Sequence, residues 1–367
     1  MNRRDHKRVS LMEVAALADV STATASRILN GNGPFAEGTR ARVLEAARKT
    51  HYIQNPYFRR IRRNDRPAST GSLAMLLPSF YSALHRTDQQ TNRVLAGVEC
   101  AAQNQRYHLI VSTVEEKDGL MPRVMADGNV DGVILAGGHS AEMIDRIQAV
   151  IPTVVVNDRI SGAGVSCIAV DDAAAVRAAL DHLRSLGHRQ IVFFYIADFR
   201  YAGDVKRGHE HPHVLRANAF KLLAMDGGMP GARIERLPVR TKPLVETVAD
   251  CLLAWRESGT MPTALLCAAD VYAMAFLHAA ADLGIPVPGG LSVIGIDDDS
   301  ACEHVRPNLT SIRAPLEEMG TAAVKALINR LEQPDAAYAL QLFDVKLIQR
   351  KSCSKPSEAM LLAAANG

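Results

Sequence analysis

The sequence predicts an α/β protein in two unequal parts, a small all-helical module at the N-terminus and a long two-lobed body of parallel sheets. Three observations carry that prediction. Residues 10–50 show helical periodicity only, with two short amphipathic segments broken by a three-residue interruption and a third segment after them. From residue 71 onward, short apolar runs alternate with helical stretches, as they do where parallel strands are covered by helices on both faces. Charge divides at the same place. Residues 1–66 carry 14 Lys and Arg against 6 Asp and Glu, a net of +8 in a chain of net +3, which leaves −5 for the remainder.

The helical module begins with Ser10 and Glu13, spaced as a capping box in which the hydroxyl takes an N–H of the first turn and the carboxylate reaches back. Leu11, Val14, Ala15 and Ala18 then share one face, with Ala15 small enough for a second helix to cross closely. Asp19-Val20-Ser21 interrupts the pattern; Val20 reads as a core plug and Ser21 as the N-cap of a helix that starts at about Thr22. The spacing fits a helix-turn-helix, whose second helix presents its N-terminal residues to base edges in the major groove; taken alone it also fits an amphipathic helical hairpin with a surface arginine. Thr22, Ala23, Ser26 and Arg27 fall on the outward side, and Ala25, Ile28 and Leu29 fall inward. Arg27 is placed to pair bidentately with a guanine, worth about 1–3 kcal/mol of discrimination. Residues 39–50 predict a third amphipathic helix, followed by HYIQNPYFRRIRR. Basic charge gathered on these helices calls for a polyanionic partner, because neutralised phosphates release counterions.

In the body, strand candidates fall at 72–78, 107–113, 132–137, 153–157, 167–171, 190–195, 264–268 and 291–297. Helical stretches fall at 89–104, 172–186, 214–226, 244–258, 271–283 and 316–332. About 280 residues exceed what one such core holds, so two similar lobes are expected. A small-molecule site would lie beyond the carboxyl ends of the strands, in the cleft where the lobes face each other. With 367 residues, 48% hydrophobic and 22% charged, the chain has no apolar stretch near the ~20 residues of a membrane span. The charged start MNRRDHKRVS is not a signal peptide, so a cytoplasmic protein with no membrane partner is expected. The six cysteines at 100, 167, 251, 267, 302 and 353 show no C-x-x-C pairing and read as reduced thiols. HEHPH at 209–213 could clip a metal but lacks matched Cys or acidic partners, and reads as a loop. GNGPFA at 31–36 grazes a dinucleotide fingerprint but follows a helix, not a strand. No nucleophile-base pair, P-loop or paired general acid and base emerges, so a non-enzymatic protein without cofactor or metal is expected.

VSLMEVAALADVSTATASRILNG and TRARVLEAARKTHYIQNP resemble the headpiece of the LacI/GalR (lactose-repressor) family of bacterial transcription regulators. The similarity continues through DGVILAG, IPTVVVNDR, AVDD, HLRSLGHRQIVFF, LRANAF, PTALLCAAD, LSVIGIDD and LTSIR, in the family's order, to about residue 350. It implies a helix-turn-helix headpiece over 1–54, a hinge helix and linker over 55–70, a two-lobed, periplasmic-binding-protein-like (Rossmann-like) effector and dimerisation domain over 71–353, and a tail over 354–367. By the match, Thr22, Ala23 and Arg27 occupy base-reading positions, and Ser21, Thr24, Ser26, Asn30 and Tyr52 support phosphate contacts. Asn55 and Ile61 fall in the hinge helix, where the side chain at 61 is wedged between base steps in the minor groove. Three departures stand out: Asp19 replaces the turn Gly, Ala36 replaces the third helix's capping Ser or Thr, and the hinge carries Phe58 and Ile61 in place of a small residue and Leu.

For the effector pocket, the match carries over Arg216 as the group that grips a ligand hydroxyl or carboxylate and Asp297 as the acid that accepts from hydroxyls. Asn157 fits the usual Asp/Asn position, with Asp158 as the alternative register; Arg240 falls near an aromatic stacking position, and Phe80 or Tyr81 near a polar one. Ala269-Asp270 stands where the family commonly has Asn-Asp, so one amide contact is missing while Asp270 keeps its position. Ala136 replaces a polar lining residue. With Arg216, Arg240, His85 and His139, the pocket suits a sugar acid or phosphorylated sugar as well as a neutral sugar. The resemblance implies a homodimer that reads double-stranded palindromic operator DNA and responds to a small-molecule effector, most simply as a repressor of carbohydrate or sugar-acid catabolic genes. The alternative is a sugar-binding protein of the same fold without tight operator binding. The tail lacks sustained heptads, which argues for a dimer.

Overall fold

The structure is a computed structural model and describes residues 10–29, 34–50, 52, 69–78, 89–114, 121–126, 128–160, 164–196, 209–229, 231–237 and 242–358. Asn30, Asn55, Phe58, Ile61, Phe80, Tyr81, His85 and Arg240 lie outside the described residues.

Three helices form the N-terminal module: α1 (Leu11–Leu17), α2 (Thr22–Leu29) and α3 (Glu37–Lys49). The capping box at Ser10 is formed, with the Ser10 N–H donating to Glu13 at 2.6 Å and the Glu13 N–H donating to the Ser10 hydroxyl at 3.3 Å. Asp19 takes φ 51°, the left-handed turn conformation in which Asp is among the few tolerated non-glycine residues. Helix α3 begins at Glu37 behind Ala36, which makes no side-chain cap, so the missing hydroxyl leaves the start without a side-chain acceptor. Val14, Ala15, Ala18, Ala25, Ile28, Val43 and Ala46 bury together, with Val20 and Tyr52 packed against them.

The body contains two six-stranded sheets. In the first, β1 (Ser72–Pro78), β2 (His108–Val114), β3 (Gly132–Ala136), β4 (Thr153–Val156), β6 (Ser166–Val170) and β13 (Leu340–Phe343) lie in the order β13-β6-β4-β3-β1-β2, all parallel. The second orders β14 (Lys346–Ile348), β12 (Thr310–Arg313), β11 (Ser292–Asp297), β10 (Ala264–Cys267), β7 (Ile191–Ile196) and β9 (Arg233–Leu237) as β14-β12-β11-β10-β7-β9, with only β14 antiparallel. Each sheet separates two hydrophobic clusters, as strands apolar on both faces require.

The chain crosses between lobes three times. It leaves β6 for helix α7 (Asp172–Ser185) of the second lobe and returns from β12 through Ala314-Pro315 to α11 (Leu316–Glu332) of the first. It crosses again between β13 and β14. Helix α11 packs on α4 (Gln89–Asn104) through two glycines: a Cβ on Gly97 would meet the Glu317 carbonyl oxygen at 2.0 Å, and one on Gly320 the Val94 oxygen at 2.2 Å. Only hydrogen side chains let these backbones approach so closely.

The apolar runs locate eight strands of the two sheets to within a residue, the edge strand β2 among them, and miss the interior strand β12 and the edge strands β9, β13 and β14. Strand β13 (LQLF) is largely exposed, and β9 (RIERL) alternates charges with its apolar residues. The short helices α5 (Arg123–Ala126) and α6 (Ala141–Gln148) also go beyond the expected set.

Candidate nucleic-acid interface and interlobe cleft

Helix α2 presents a polar N-terminal face. The Thr24 N–H donates to the Ser21 hydroxyl at 3.0 Å, and the two hydroxyl oxygens lie 2.8 Å apart. Ser21 is thus the cap that starts the helix, which aims its unpaired amide ends outward. Ser21, Thr22, Ala23 and Arg27 are exposed, and Thr24 and Ser26 are half-buried, while Ala25 and Ile28 anchor the opposite side. Tyr52 packs against the module's core, and burial raises its phenol above the ordinary value. The helix therefore offers hydroxyls, a small residue and one guanidinium along its outward side, a set suited to phosphates and base edges.

A second constellation lies where the lobes meet. A cavity of about 10 Å³ is lined by Gln90, Asn157, Val170, Arg216, Ile296 and Asp297, together with the apolar Ile312, Ala314, Leu316 and Val345. Asn157, Val170 and Asp297 mark carboxyl ends of strands, where a cleft of this architecture is expected. Arg216, on helix α8 (Pro212–Asp226), is 5% exposed. Its Nε donates to Asp172 at 2.7 Å, its Nη1 donates to the Ala268 carbonyl at 2.6 Å, and Nη1 lies 3.5 Å from Asp297. Burial raises the Asp172 carboxyl, with the guanidinium pulling it partly back; Asp172 and Asp297 together hold Arg216 above its ordinary value against its own burial. Asp297 and Asp298 take consecutive positive φ values of 127° and 53°, a strained turn held by an ion pair from Asp298 to Arg313 at 2.5 Å and another to Arg350 at 2.7 Å. Asn157 is also left-handed, at φ 67°, and its neighbour Asp158 accepts from the Gly138 N–H at 2.6 Å.

Asp270 departs from its expected place. It does not line the cavity; its carboxylate accepts from the Ser311 hydroxyl at 2.6 Å, the Asp299 N–H at 2.8 Å and the Cys302 thiol at 3.1 Å. A Cβ on Gly295 would stand 2.0 Å from its oxygen, so the acid fills space beneath β11 and ties the strained turn to the sheet. Asp172 was missed by sequence reasoning, although the AVDD string contains it. Its signal was a second acid directly after a strand, in a helix's first turn, where the N-terminal dipole favours a carboxylate.

Alongside the cleft, a two-stranded antiparallel ribbon joins the lobes, β5 (Arg159–Ile160) from the first and β8 (His209–Glu210) from the second. Beyond it, His211 caps α8 by accepting from the His213 N–H at 3.2 Å, and His213 packs edge-to-face on Tyr272 at 5.7 Å. Among the described residues no group of three or more His, Cys, Asp or Glu is arranged to hold a metal ion, and no helix is long and apolar enough to cross a membrane.

Comparison with known proteins matches both parts. The LacI family of bacterial regulatory proteins matches residues 10–55, and the periplasmic binding protein-like domain matches residues 180–353. The chain is 30% identical over 357 residues to an uncharacterized HTH-type transcriptional regulator in the aml 5′ region of Streptomyces limosus, covering 94% of each chain. Its fold is similar to the transcriptional regulator CelR–cellobiose complex, with a TM-score of 0.67 at 22% identity over 94% of this chain and 100% of that one. It is likewise similar to the lac repressor dimer bound to operator and the anti-inducer ONPF, with a TM-score of 0.63 at 22% identity over 95% and 100%.

Proposed function

The chain belongs to the LacI family of bacterial regulatory proteins, and from that premise we propose that it is a dimeric repressor whose grip on a palindromic operator is set by a neutral, polyhydroxylated small molecule. In this reading a headpiece over 1–54 and a hinge over 55–70 are coupled to a sensor over 71–353, and the protein works on DNA in the cytoplasm. The observation that carries the effector class is the Arg216 cluster. The buried Arg216 guanidinium is already matched by two buried carboxylates, Asp172 and Asp297, so it has no positive charge left over for an anion. What the cluster can offer is a fixed array of donors and acceptors, which is the chemistry of sugar hydroxyls. Sugar acids and sugar phosphates, attractive on the arginine alone, would meet Asp172 and Asp297 as well.

A ligand site ordinarily encloses about 300–1,000 Å³, far above the 10 Å³ of the cavity at Arg216. Effector entry therefore requires the lobes to separate, with bending at the three crossing segments. A ligand that favours one lobe angle shifts the hinge attachment and so the operator affinity. The test is selection of bound fragments from a random DNA library, repeated with neutral sugars, sugar acids and sugar phosphates. The expected result is an enriched palindrome whose recovery changes with a neutral sugar. A response confined to phosphorylated or acidic sugars overturns the effector class, and recovery of no preferred sequence overturns the repressor.

A further inference from the structure

Asp131 sits at the opposite end of the first lobe from the cleft, immediately before β3, and is 7% exposed. Its carboxylate collects three successive residues: Oδ2 accepts from the Ser69 hydroxyl at 2.6 Å and the Gly71 N–H at 3.0 Å, and Oδ1 accepts from the Thr70 N–H at 2.8 Å. Although burial opposes its charge, these bonds bring its carboxyl below the ordinary value, so it is ionised at neutral pH. Its own N–H donates to the Ser72 carbonyl at 2.8 Å. Gly71 turns the chain into β1 with φ 65°, where no neighbour stands within 4 Å of an added Cβ; the glycine answers a backbone requirement.

Strand β1 does not need this carboxylate. It is already paired along its length with β2 and over Leu73–Leu76 with β3. The three bonds go to residues that precede the strand, so they fasten the connector to the body. At the far end of β3, the Gly138 N–H donates to Asp158 beside the cleft, so one buried strand runs from the fastening to the effector cleft.

Building on the repressor reading, we infer that Asp131 is a positioning residue for DNA recognition: it fixes where the segment leading to the headpiece leaves the sensor. Two headpieces reach both half-sites of an operator only if their connectors leave the dimer at set points. Loosening the exit spreads the headpieces over more arrangements and weakens palindromic DNA more than random DNA, which each headpiece binds through phosphates alone.

The test uses the full chain, Asp131→Asn and Ser69→Ala. In Asp131→Asn an amide nitrogen replaces one of the two accepting oxygens and cannot accept from the backbone N–H it then faces, that of Thr70 or of Gly71, and in Ser69→Ala one donor is lost while the carboxylate stays. Hydrogen exchange should quicken at residues 70 and 71 and stay unchanged in residues 132–136. Affinity for the palindrome selected by the parent should fall about tenfold in Asp131→Asn and about threefold in Ser69→Ala, as expected for losing charge-assisted bonds. Affinity for a scrambled duplex of equal length should hold. Parent-like binding of the palindrome by both variants, or equal losses on the two duplexes, overturns the inference and leaves the repressor reading intact. If the parent itself selects no palindrome, both fall.

Discussion

At Arg216, two carboxylates face one guanidinium, so truncating the arginine strands two buried negative charges. Arg216→Met should therefore cost about 3–5 kcal/mol of stability, the usual penalty for breaking a buried pair from one side. Urea unfolding measures this, and a loss below 1 kcal/mol would show the cluster to be well solvated. Asp297→Asn keeps one acid against the arginine, and should leave the fold near parental stability while abolishing the effector's influence on operator binding. On the DNA side, Arg27 is exposed on the face opposite Ala25 and Ile28. Arg27→Ala should relax selection at one base pair in each half-site by about 1–3 kcal/mol, read by competition between operators that differ at single positions. A uniform loss over all sequences would make Arg27 a phosphate contact instead.

Helices α4 and α11 show how an element's placement depends on what a side chain lacks. Gly320→Ala would set a methyl 2.2 Å from the Val94 carbonyl oxygen, so the helices must part. The expected cost is about 1–3 kcal/mol, seen as a lower denaturation midpoint; an unchanged midpoint would mean that the crossing yields freely. Periodicity exposed the helices themselves, since 89–104 and 316–332 were each legible to the residue. Their crossing was not, because a glycine inside a helix looks like a weakness until its neighbour is known. The same contrast runs through the sheets. Buried strands such as SLAMLLP announce themselves by apolar content, whereas β13 is an exposed edge strand placed by pairing with β6, more than 160 residues away in the chain. In the candidate site, Arg216, Asn157 and Asp297 were found through the motifs around them. Asp172 and Asp131 escaped, since each acts through partners distant in sequence, and Asp270 was misplaced because a strand-end acid reads the same whether it faces the cleft or the sheet.

For the whole molecule, buried histidines link the fold to pH. His188, just beyond α7, is fully buried; its Nε2 donates to the Ser354 carbonyl at 2.9 Å and its Nδ1 meets the Thr263 hydroxyl at 3.0 Å, so it fastens the C-terminal segment to the second lobe. Burial lowers its pKa, and those of His182 and His213, below the ordinary 6.5. The unfolded chain then takes up protons more readily than the folded one. Stability owed to the neutral rings is complete above about pH 6.5 and is lost as pH falls toward the folded-state values. Glu317 and Asp131, held below the ordinary carboxylate range, titrate lower and lie outside this window. Asp172 and Asp270, raised by burial, act in the opposite sense, so the parent curve alone mixes both signs. The decisive quantity is the difference between parent and His188→Gln, whose amide replaces the ring without titrating. Between pH 7.5 and 5.5 the parent's thermal midpoint should fall more steeply than the variant's. Parallel curves would mean that His188 reaches solvent before it is protonated, and that the C-terminal segment opens independently of the lobe it covers.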